Sequence, residues 1–144
     1  MNTEMIAEMV RKDRSEWELL TAILDAHPEE ILHAPDSPPW VSRDVYAHLA
    51  RWIEHSNKTM RAYCEGRSFP QPTGTDKEIN SRWQQEDSWM TLTEASKRAH
   101  EAFEQRLLII QSIPLDRWDK ELERISHYDG AEHLSAHRSY IRLT

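Results

Sequence analysis

Apolar residues in this chain recur at steps of three, four and seven over long stretches free of glycine and proline, the spacing of amphipathic helix. Ile6, Val10, Trp17, Leu20 and Leu24 mark the first stretch, residues 3–26. Pro28 ends it, or opens a short turn through Leu32, and Ala34 to Trp40 forms a proline-rich connection. A second helix is expected from Ser42, read as its cap, to about Cys64. Asp44 suits the positive end of its dipole, and Gly66 lies just past its end. After a loop from Arg67 to Gly74, Thr75-x-x-Glu78 and Thr91-x-x-Glu94 are two capping boxes. The segment from residue 76 is therefore one long helix broken near 88–91, or two helices. Its later half carries the core stripe Ala95, Ala99, Phe103, Leu107 and Ile110, and Pro114 stops it. Leu115 to Arg124 reads as a connector with one helical turn near Trp118. A last helix is expected from 130 to about 143.

Four amphipathic helices without a convincing strand predict an all-α four-helix bundle. Residues 1–144 read as one domain, large enough to fold without a disulfide or metal staple. The formal charge of −7 and the lack of a basic cluster argue against nucleic-acid binding. Cys64 is the only cysteine, which excludes an internal disulfide and fits a reducing compartment. The N-terminal residues have no apolar signal core, and no run is long enough to span a bilayer. A cytoplasmic protein acting on a small molecule, with no membrane partner, is the expectation.

The chemistry concentrates in the stretch Asp129-Gly130-Ala131-Glu132-His133-Leu134-Ser135-Ala136-His137. Asp129 reads as the cap of the last helix, with Glu132 completing a capping box. His133 and His137 are then i and i+4, on one helix face, where two imidazoles reach one metal ion. No glutamate lies between them, so this is not the HExxH arrangement. Two histidines do not close a site, and the third ligand should face the core from another helix. On the second helix, His48 falls on the inward line with Val45 and Trp52, and His55 is its rival one heptad on. His27, His33 and His127 lie near helix ends or in connectors, and His100 sits at the edge of the later core stripe. Cys64 is four turns past His48, on the order of 24 Å, too far to be a fourth ligand. Most of the six tryptophans are expected to pack in the core.

The segment WVSRDVYAHLARW resembles the tryptophan-led signature of the DinB-like (DinB/YfiT) family of four-helix bundles, and DGAEHLSAHRSYI resembles its closing HxxxH helix. The middle of the chain, GTDKEINSRWQQEDSWMTLTEASKRAHEAF, is similar to the ClbS/DfsB branch. The resemblance implies a mirror variant of up-and-down topology, often in a homodimer. It implies a divalent metal held by His48, His133 and His137. Asp44 and Asp129, each four residues before a ligand, are candidates for the outer partners that orient metal-bound histidines. Trp52 and Trp83 are candidate pocket residues, and so is Asn80, which falls where the branch has a similar asparagine. Zinc or nickel leads the metals that three imidazoles suit, with iron and copper behind.

Three functions fit such a site. The first, implied by the resemblance, is a metalloenzyme of the thiol-dependent transferase kind, using a low-molecular-weight thiol against an electrophilic small molecule. The second is a ClbS/DfsB-like protective hydrolase of a reactive electrophile. The third is a metal- or ligand-binding protein without turnover.

Overall fold

The computed structural model describes residues 1–32 and 39–141, and all the regular elements among them are helical. They are α1 (Thr3–Ala26), α2 (Ser42–Cys64), α3 (Asp76–Glu86), α4 (Leu92–Ser112), α5 (Lys120–Ser126) and α6 (Ala131–Tyr140), with a 3₁₀ turn at Leu115–Arg117 before α5. His33, the start of the proline-rich connection and the end expected for the last helix near 143 lie outside the described residues.

Both capping boxes form as read. Thr75 Oγ1 accepts the Glu78 N–H at 3.2 Å, and Thr91 Oγ1 accepts that of Glu94 at 3.1 Å. The segment from 76 to 112 is thus two helices. Asp87, buried at the break, receives Arg51 Nε at 2.8 Å and Arg51 Nη2 at 3.0 Å, which fixes α3 against α2. At the end of α2, Gly66 adopts φ +73°, with Arg67 N–H on the Ala62 carbonyl and Gly66 N–H on that of Tyr63. This is the left-handed helix stop that favours glycine.

Three local expectations are corrected, each by a partner distant in sequence. Ser42 is the first residue of α2, not its cap. Its hydroxyl donates to the Leu24 carbonyl at 2.6 Å, with the His27 carbonyl at 3.1 Å, and so closes the end of α1. The supposed connector after Pro114 contains α5, capped by Asp119 Oδ1 on the Leu122 N–H at 2.8 Å. Leu122 and Ile125 bury there with Trp118, Met60 and Ile110 in a second apolar cluster. Finally, Gly130 rather than Asp129 occupies the cap position of α6, and Glu132 is exposed and outside any capping box. The Ala131 N–H is bound instead by Asp13 Oδ1 of α1, at 2.8 Å.

The main core joins α1, α2 and α4 through Trp17, Leu20, Leu24, Leu49, Ile53 and Phe103, and Leu134 brings α6 into it. Helices α2 and α4 share the largest interface, and α6 lies mainly along α1. Trp17 stacks on Phe103 at 4.5 Å and donates to His100 Nδ1 at 3.1 Å, which gives His100 a structural place. Trp17, Trp40 and Trp118 are buried as expected, whereas Trp89 is 67% exposed. No helix among the described residues is long and apolar enough to cross a membrane.

Candidate metal centre

His48 on α2 and His133 and His137 on α6 converge, with one donor atom of each within 4.8 Å of the others. His137 Nε2 lies 3.1 Å from His48 Nε2 and 2.9 Å from His133 Nε2. Helical spacing alone puts the two α6 rings together, their centroids 4.7 Å apart. His48 reaches them because the buried line Val45, Leu49 and Ile53 turns α2 into the core, and because Leu134 seats α6 beside it.

These contacts do not form a hydrogen-bonded set. A ring nitrogen has one in-plane site, filled by a hydrogen or by a lone pair. The Nε2 of His137 therefore makes at most one good hydrogen bond, yet it faces two other Nε2 atoms within 3.1 Å. A cation among three lone pairs would resolve the conflict. Two donors about 2.05 Å from a metal and about 90–110° apart sit about 2.9–3.4 Å from each other, the scale of the two separations from His137. The donor set fits a divalent transition metal with positions left for other ligands.

Asp129 stands behind His133, with Oδ1 3.6 Å from His133 Nδ1. A carboxylate there favours the proton on Nδ1 and leaves the lone pair on Nε2. Asp129 is nearly inaccessible, and the Ser56 hydroxyl donates to its Oδ2. Burial pushes its carboxyl pKa up, against the opposing effects of His133 and of the Ser56 hydrogen bond. Asp44, the other expected outer partner, works at the start of α2: it accepts the Val41 N–H at 3.0 Å and pairs with Arg43.

The three histidines line an open cleft of about 770 Å³ between α2, α3 and the segment leading into α6. That volume suits a small organic ligand. Trp52 and Asn80 line it, joined by a hydrogen bond from Trp52 Nε1 to Asn80 Oδ1 at 2.7 Å. Trp83 sits behind Trp52, centroids 4.8 Å apart, and lines a small recess that also touches His48 and Asn80. His55, the rival ligand, also faces the cleft but is held by Gln71, with Nε2 2.9 Å from Oε1. Trp40, Ser56 and Tyr128 line the cleft as well, and sequence reading did not single them out for it. For Ser56 a signal existed: it follows His48 at i+8 and Trp52 at i+4 on the same helix face. Cys64 lies outside both the cluster and the cleft, and burial pushes its thiol pKa up.

No protein-family model, curated protein or solved structure matches the chain.

Proposed function

We propose that the protein is a DinB-like metalloenzyme that holds one divalent metal, zinc or nickel, through His48, His133 and His137. The observation that carries this reading is the convergence of three Nε2 atoms that cannot all satisfy one another by hydrogen bonding. A metal at such a site supplies Lewis acidity and lowers the pKa of a coordinated water or thiol. The chain's own residues do the rest. Asp129, braced by Ser56, orients His133. Trp40 and Trp52 present apolar surface beside the histidines, and the open end of the cleft admits substrate. In this reading α1, α2, α4 and α6 are the four bundle helices in the family's mirror topology, and the reaction transfers a low-molecular-weight thiol to an electrophilic small molecule in the cytoplasm. The half-exposed Leu19 on α1 and Leu108 on α4 are among the exposed apolar side chains that a homodimer would cover.

Metal analysis of the purified protein tests the premise. About one equivalent per chain is expected after reconstitution with zinc or nickel, and His137→Ala should lose it while circular dichroism keeps its helical signal. A wild-type chain that takes up neither metal ends this reading. A screen for thiol adducts over a panel of electrophiles, with metal-loaded protein, then separates a transferase from a binder.

A further inference from the structure

The orientation of the Asn80 carboxamide is settled by its partner. An indole N–H only donates, so the Asn80 atom 2.7 Å from Trp52 Nε1 is the oxygen. Both amide hydrogens therefore lie on the other side of the group. They have no acceptor among the described residues, although Asn80 is half-buried and lines both the cleft and the recess it shares with His48. Trp52 is four residues after His48, so it lies about one turn, roughly 6 Å, further along the same face of α2. The latch is rigid. Trp83 packs on Trp52, Arg51 lies 5.4 Å over Trp83, and Ile79, the buried residue of α3, anchors the turn that carries Asn80. Ser81 and Gln84 add further donors to the same wall.

We propose that Asn80 is a specificity-determining residue of the cleft: a preoriented N–H donor that selects ligands bearing an acceptor oxygen, of carbonyl or carboxylate type, next to the atom that docks at the histidine triad. The inference rests on the metal reading above. A latch that served only to hold Trp52 would need the Asn80 oxygen and nothing else, whereas a selecting group uses the two hydrogens.

Titration calorimetry on the metal-loaded protein distinguishes these roles with two small probes. Acetohydroxamate is a metal ligand rich in acceptor oxygen, and imidazole is a metal ligand with none. Asn80→Asp keeps an acceptor for Trp52 but removes both donors, and Asn80→Leu removes them without adding charge. Both variants should bind acetohydroxamate about 3–10-fold more weakly, the effect of one hydrogen bond, and imidazole within about twofold of wild type. Unchanged acetohydroxamate binding in both variants overturns the proposal, as does equal weakening of both probes, which would mean that the cleft has collapsed. Failure of the underlying reading shows separately, as a wild-type protein without metal before any probe is added.

Discussion

Two polar clusters hold α6, and they are built on opposite principles. On one side, Arg106 of α4 is fully buried against Asp13 of α1, with Nη2 at 2.9 Å and Nε at 3.1 Å from Oδ2. The same Nη2 donates to the Ser126 carbonyl at the end of α5, and the other Asp13 oxygen holds the first N–H of α6. Each charge meets its opposite, and four helices are tied at one point. On the other side, three imidazoles of like kind face one another over an open cleft. The first cluster joins opposite charges within the chain. The second gathers three ring nitrogens of like kind, an arrangement compatible with a divalent metal. The difference separates a buried polar group matched by an opposite charge from a half-exposed set of like groups gathered at a cleft, although both converge on the same helix.

The comparison breaks most visibly if Arg106→Ala is tolerated. That change leaves the Asp13 carboxylate buried without its cation and should lower stability by about 3–5 kcal/mol, read by denaturant unfolding. His48→Ala should cost only about 1–3 kcal/mol, the range of a single core substitution, while metal occupancy collapses. Equal losses in the two variants would mean that the triad is architectural too. Asp129→Asn keeps the shape but removes the charge behind His133, and should weaken metal binding about 10–100-fold in a chelator competition. Gly130→Ala probes the join between the clusters. An added Cβ would lie 2.5 Å from Arg106 Nη2 and 3.0 Å from Asp13 Oδ1, atoms pinned by their own hydrogen bonds. Overpacking there should cost about 1–3 kcal/mol, with a smaller effect on metal affinity. The smallest effect belongs to His55→Ala, which should leave metal content unchanged because Gln71 rather than the triad holds that ring. Loss of metal in this variant would redraw the site.

Much of the fold was legible because its signals are local. The apolar periodicity of α1, α2 and α4, the two threonine capping boxes and the Gly66 stop each depend on residues within a turn or two of one another. The pairing of His133 with His137 was legible for the same reason. The choice of His48 over His55 needed the family resemblance, since both lie near the inward face of α2. The seven-residue α5 was missed because it has too few turns to show a period.

The sequence by itself determined the helical class, most helix boundaries and the two histidines that share a face of α6. Tertiary structure alone decided where each polar end went. The Ser42 hydroxyl closes α1 rather than capping α2, and Asp129 turns inward to Ser56, 73 residues away in sequence. The cap that Asp129 leaves is made by Asp13, 118 residues from the N–H it binds. A polar group near a helix end takes whichever partner the packed core brings within hydrogen-bond reach, because an unpaired buried group costs more than a local cap returns. Packing partners of that kind leave no trace in the spacing of neighbouring residues. Sequence pattern therefore predicts which segments become helices, and the assembled core decides which side chains face each other across them.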